Sequence, residues 1–273
     1  MPKLTTPDQV NLNYTDIGSG RPIVMIHGWP LSGAAFADNA KVLAAAGYRV
    51  ITYDRRGFGQ SGKPRGGYDY DTLAADLDAL LTGLDLRDAV LLGFSMGGGE
   101  VARYLATRGS GRVGAAILSG SICPALCITK DNPDGAMPRE GFQELADACA
   151  ADHAGFVDQF CGWFYSNDQG LTVPEEVRQQ AVEIARQSAP HAAVATILSW
   201  TEDLREDCRR IDVPLLVIHG DGDQNVPLAK SSARMPEYAQ QAQLVVIEGG
   251  PHGINVSHAD QWNAAILNFL AGS

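Results

Sequence analysis

Short apolar runs rich in Val, Ile and Leu recur along this chain between longer stretches with helical periodicity, and that alternation limits the fold most. The runs lie at 23–26, 48–53, 89–94, 113–118, 215–218 and 244–247. Strands buried on both faces need a layer of helices on each side, so the pattern predicts an α/β fold: a mostly parallel central sheet flanked by helices. Helices are expected over 34–46, stopping at the C-terminal cap Gly47, and from Tyr70 onward, where Leu73, Leu77, Leu80, Leu81 and Leu84 recur at helical spacing. Further helices are expected through 100–105, near 228–238 and over 260–270.

Between about Cys123 and Pro190 the alternation stops. This stretch is helical and aromatic, punctuated by Pro124, Pro133, Pro138 and Pro174. The expected organisation is one core, residues 1–121 and 191–273, with a helical cap at 122–190 inserted after the strand at 113–118. A chain of 273 residues is long enough to bury a substantial core.

The net charge of −11 argues against nucleic acid or an anionic membrane surface as partner. The first eight residues hold no apolar segment of the kind a signal peptide needs, and no run is long enough to span a bilayer. A soluble, cytoplasmic protein is therefore expected. Five cysteines include no C-x-x-C pair. Cys149 and His153 share a helical face, which is at most half a metal site. The cysteines read as reduced, small apolar side chains, with no disulfide, metal or cofactor expected.

The chemistry collects at the carboxyl ends of the strands, where open parallel sheets bind ligands. Gly93-Phe94-Ser95-Met96-Gly97 is a G-x-S-x-G pentapeptide between a strand and a helix. Such a turn exposes a serine hydroxyl as a nucleophile. The other ends carry His27-Gly28-Trp29-Pro30, Asp54-Arg55-Arg56, His219-Gly220-Asp221-Gly222-Asp223 and Gly250-Pro251-His252-Gly253. Serine, acid and histidine thus follow in the order Ser95, Asp223, His252. His252 would take the Ser95 proton and pass it to the leaving group, while Asp223 orients the imidazole. Asp221 is read as a turn residue and His258 as part of a helix start. His27 and His219 are read as structural, and His153 and His191 as cap residues. The N–H of Met96, with that of Trp29, would form the oxyanion hole; Pro30 has no N–H to offer.

Taken together these motifs resemble the α/β-hydrolase superfamily, in particular its branch of cofactor-free haloperoxidases (perhydrolases), arylesterases and γ-lactamases. The likeness extends through Tyr53-Asp54-Arg55-Arg56-Gly57-Phe58-Gly59 and Gly97-Gly98-Gly99-Glu100 and covers nearly the whole chain. It implies the same triad and oxyanion residues, small ester or acid substrates, and water or hydrogen peroxide as second nucleophile. The haloperoxidase label implies neither haem nor metal, because peracid released by the enzyme oxidises halide in solution. Members are commonly homo-oligomers. Proline after the oxyanion aromatic is a pattern of the perhydrolase-like members; Pro30 would direct the Trp29 carbonyl toward peroxide, or else only stiffen its loop. Trp29, Phe94, Leu126, Phe160, Trp200 and Val226 are the expected apolar pocket walls. A γ-lactamase or amidase and a C–C hydrolase or lyase could use the same triad. A non-catalytic ligand-binding protein is the alternative of another class.

Overall fold

A computed structural model describes residues 2–272. Eight strands form its main sheet: β1 (Lys3–Thr5), β2 (Asn11–Gly18), β3 (Pro22–Ile26), β4 (Arg49–Tyr53), β5 (Ala89–Phe94), β6 (Val113–Ser119), β7 (Leu215–Gly220) and β8 (Ala242–Ile247). Their order across the sheet is β1-β2-β4-β3-β5-β6-β7-β8. From β4 to β8 every neighbouring pair is parallel, with Val24 beside Leu91 and Ile117 beside Leu216. The antiparallel β1–β2 hairpin closes one edge. Every residue of β5 and β7 is buried, which is why those segments read as unbroken apolar runs. At the opposite edge β8 is half-exposed, and Leu244 and Val246 face solvent.

Helices fill the crossovers. One layer pairs α1 (Ala37–Ala45) with α10 (Ala259–Leu270); the other pairs α2 (Tyr70–Gly83) with α3 (Met96–Arg108) and the short α8 (Arg205–Arg209). Asp69 starts α2 by accepting a hydrogen bond from the Thr72 N–H at 2.9 Å. Between β6 and β7 run four longer helices, α4 (Arg139–Ala151), α5 (His153–Phe164), α6 (Glu175–Ala185) and α7 (Pro190–Ser199), with α7 packed along α4. A four-residue helix, α9 (Ile254–Ser257), precedes α10.

Two expected helices differ in kind. The segment 34–46 begins as a 3₁₀ turn, Gly33–Phe36, before α1. The segment 228–238 forms two 3₁₀ turns, Leu228–Lys230 and Ser232–Glu237, and no α-helix. Pro236 lies inside the second turn, where its ring and missing N–H oppose α-helical continuation. All five cysteines are buried thiols; burial pushes Cys149 up to about 11 and Cys161 up to about 12. No helix among the described residues is long and apolar enough to cross a membrane.

Candidate active site

Ser95 sits between β5 and α3 with φ +55° and ψ −119°, a conformation that L residues rarely adopt. The turn survives because its neighbours are small. A Cβ on Gly93 would meet the Gly97 carbonyl and lie 2.7 Å from the Gly98 Cα, all of it backbone. A Cβ on Gly28 would lie 2.9 Å from the Ser95 Cβ, so the loop after β3 approaches the serine without a side chain between them.

His252 occupies the loop between β8 and α9. Its Nε2 lies 2.9 Å from Ser95 Oγ and its Nδ1 2.6 Å from Asp223 Oδ2. An ionised carboxylate can only accept, so the proton on that side belongs to Nδ1 and the Nε2 lone pair faces the serine. The rings of Phe94 and Phe164 stand edge-on to the imidazole at 5.3 and 4.8 Å and fix its plane. All three side chains are buried.

Asp223 lies just beyond β7. Its Oδ1 accepts from the N–H groups of Asn225 (2.9 Å) and Val226 (2.8 Å), an Asx turn that orients the carboxylate. Burial alone would raise its pKa, but the His252 imidazole, aided by hydrogen bonds from His219 and His252, holds it well below the usual carboxylate range. Asp221 instead accepts from the Gly249 N–H at 2.6 Å.

The remaining histidines bond groups other than Ser95. His219 lies 2.8 Å from the Val226 carbonyl through Nε2 and 2.7 Å from Ser232 Oγ through Nδ1. His27 is fully buried; its Nδ1 donates to the Gly28 carbonyl and its Nε2 accepts from the Arg55 N–H. Burial first, and Arg55 second, keep His27 well below its ordinary pKa and therefore neutral. His258 pairs with Ser257 Oγ at the start of α10. His153 reaches Ser188 Oγ, and His191 bonds the Pro64 carbonyl, tying α7 to the segment between β4 and α2.

Trp29 follows β3 and is joined to Pro30 by a cis peptide bond. Among the described residues, the backbone N–H groups of Trp29 and Met96 have no protein acceptor. Both flank the serine turn, and the Met96 N–H opens α3, where the helix dipole favours negative charge.

Above Ser95 and His252 lies a cavity of about 280 Å³. Leu126, Phe160, Trp200 and Val226 line it. Trp29 and Phe94 are placed behind the wall: the Trp29 ring packs edge-on to Phe160 at 4.6 Å and Trp200 at 5.4 Å, and its Nε1–H donates to the Ala193 carbonyl. Sequence reasoning missed the wall supplied by Phe142 and Leu145 of α4 and Trp163 of α5. Phe142 and Leu145 are three apart, a helical signal that identifies a shared face but not what that face covers. Asn225 was also missed. Among the described residues, no group of three His, Cys, Asp or Glu side chains is arranged to hold a metal ion.

Comparison with known proteins agrees with this architecture. A family model described as the alpha/beta hydrolase fold matches residues 21–259. A non-heme chloroperoxidase of Kitasatospora aureofaciens is 40% identical over 99% of both chains. A bifunctional esterase/perhydrolase of Acinetobacter calcoaceticus is 33% identical over 98% of both. The crystal structure of a bromoperoxidase from Bacillus anthracis superposes with a TM-score of 0.96 at 39% identity, covering 99% of each chain. With the serine turn at the end of β5 and its acid and histidine beyond β7 and β8, the chain belongs to the α/β-hydrolase family, in its branch of haloperoxidases and esterases.

Proposed function

We propose that this protein is a serine hydrolase of small carboxylic esters that works through an acyl-enzyme on Ser95, and that hydrogen peroxide can replace water in the second half-reaction. The hydrogen-bonded line from Ser95 through His252 to Asp223, at the floor of an apolar cavity, carries this reading. His252 Nε2 accepts the hydroxyl proton as Oγ attacks the ester carbonyl. The N–H groups of Trp29 and Met96 stabilise the oxyanion. The same proton then goes to the departing alkoxide, leaving an acyl-enzyme. Asp223 keeps the imidazole in its working tautomer and offsets the positive charge it gains.

In the second half-reaction His252 deprotonates water, which releases the acid, or hydrogen peroxide, which releases a peracid. The peroxide branch is supported by relatives named chloroperoxidase and esterase/perhydrolase. Pro30 belongs to this branch: it cannot donate a hydrogen bond, and its ring limits the conformations open to Trp29, whose carbonyl would accept from peroxide. The core (1–121 and 191–273) supplies the triad, and the cap (122–190) supplies much of the acyl pocket.

A fluorophosphonate probe tests the first half. Wild type is expected to be labelled and Ser95→Ala not; an unlabelled wild type without esterase activity would sink the proposal. Peracid formation from acetate and peroxide tests the second half. Pro30→Leu should lower the ratio of perhydrolysis to hydrolysis, and an unchanged ratio leaves Pro30 as a loop stiffener.

A further inference from the structure

Beyond the triad the cavity wall is apolar except at Trp200, Asn225 and the exposed Gln224. Trp200 and Asn225 both line it. The Trp200 Nε1–H and both polar atoms of the Asn225 side chain, Oδ1 and Nδ2, are inaccessible and have no hydrogen-bond partner within the protein. Buried polar groups are bonded in the great majority of cases, so three unbonded atoms on two residues that line one cavity call for a physical account.

Both residues are rigidly mounted. The Asn225 N–H bonds Asp223 Oδ1 at 2.9 Å, so the Asx turn that orients the proposed acid also fixes this residue. The Trp200 ring packs edge-on to Trp29 at 5.4 Å and lies 6.4 Å from Phe160. An indole can only donate, whereas a carboxamide both donates and accepts. The pair therefore offers donors to a ketone, ether or hydroxyl oxygen, and one acceptor to a hydroxyl proton. No Lys, Arg, Asp or Glu lines the cavity among the described residues, so the group it suits is uncharged.

We infer that Asn225 and Trp200 form a polar subsite for a neutral oxygen substituent, and that the preferred substrates are small esters carrying a hydroxyl, ketone or ether oxygen. This rests on the ester-hydrolase reading above. Without such a substituent the subsite's donors stay unpaired when a purely alkyl group fills the cavity, and that loss discriminates against simple alkyl esters.

Isosteric pairs test it by exchanging one CH₂ for oxygen. p-Nitrophenyl methoxyacetate against p-nitrophenyl butanoate probes the acyl side; 2-methoxyethyl acetate against butyl acetate probes the alcohol side. Intrinsic reactivity cancels when each kcat/KM ratio is compared between wild type and variants. In at least one pair the oxygen-over-methylene ratio should fall about three- to tenfold in Asn225→Leu and in Trp200→Phe, which keeps an aromatic ring but loses the N–H. The pair that responds identifies the side of the ester that meets the subsite. Ratios unchanged in both pairs and both variants would overturn the inference. Calorimetric binding of methoxyacetamide and butanamide to the full-length protein gives a second readout. A wild type that cleaves no ester refutes the hydrolase reading, while the relative affinity of the two amides and its response to the variants still decides the subsite.

Discussion

His219 and Asp223, four residues apart, face each other across the loop beyond β7: the imidazole Nε2 lies 3.1 Å from the same carboxylate oxygen that meets His252. That Nε2 is also 2.8 Å from the Val226 carbonyl, and Nδ1 is 2.7 Å from Ser232 Oγ. His219 thus closes the turn that presents the acid and does not reach the serine. His219→Leu should leave the Asp223 carboxylate held by its Asx turn and His252 only. We expect kcat to fall about 10- to 100-fold, because small misplacements of a reacting group are costly. KM should change less. Loss of the buried bonds should lower stability by about 1–3 kcal/mol. Steady-state kinetics and urea denaturation check both; an unchanged kcat would assign positioning to the Asx turn by itself.

The serine turn makes a steric prediction. Gly93→Ala brings a methyl group against the backbone of Gly97 and Gly98, and neither can yield without moving the start of α3 and the Met96 N–H. A stability loss of about 2 kcal/mol and at least a tenfold fall in kcat are expected, from overpacking and displacement of the proposed oxyanion donor. Gly109→Ala provides the contrast. Gly109 ends α3 at φ +76° with no atom near its missing side chain. That change should cost about 1 kcal/mol of backbone strain and leave kcat alone. Equal kinetic losses in the two variants would contradict the account.

Ser95, Asp223 and His252 were legible because each follows a strand whose apolar run marks its own carboxyl end, and parallel topology gathers those ends. The cavity was less legible. Which helix face turns inward depends on how the cap settles on the core, so Phe142, Leu145 and Trp163 carry no sequence mark that separates them from ordinary helix-packing residues. Trp29 and Phe94 were expected as walls because they adjoin the oxyanion and serine positions. Ring packing instead sets Trp29 against Phe160 and Trp200, and Phe94 against His252. The 3₁₀ turns at 228–238 were hidden by helix-like spacing, with Pro236 the single contrary signal.

Acid should weaken the fold partly through Asp223. Its folded-state pKa is depressed, so its contribution to stability is fully present above the ordinary carboxylate value near 4 and is lost as pH falls through the folded value. Buried Glu100 and Asp76 are shifted the other way, chiefly by desolvation, and they oppose this trend. Comparing wild type with Asp223→Asn cancels those two. The wild-type advantage in urea midpoint should be constant from pH 5.5 to 7 and shrink progressively below about pH 4. A gap that instead widened with acid would reverse the assigned sign.

The strongest structural dependence is expected at Arg55 and Glu100, both almost wholly buried. The Arg55 Nε donates to Glu100 Oε1 at 2.5 Å, and the Tyr53 hydroxyl donates to Oε2 at 2.9 Å. A second Arg55 nitrogen donates to the His27 carbonyl at 2.5 Å, just before Gly28 and Trp29. The pair therefore braces the loop that carries one proposed oxyanion donor onto α3, which carries the other. Burial pushes the Glu100 carboxyl up and Arg55 partly offsets this, so removing the guanidinium leaves a costly acid in the core. Arg55→Met should destabilise by about 3–5 kcal/mol, the range for breaking one side of a buried ion pair. Arg55→Met with Glu100→Leu should be more stable than Arg55→Met alone, since no isolated charge remains. Activity should not return with stability in that double variant, because the His27 carbonyl has lost its anchor. Chemical denaturation and kcat on one p-nitrophenyl ester separate the two effects, and full recovery of both would show that the brace plays no part in placing Trp29.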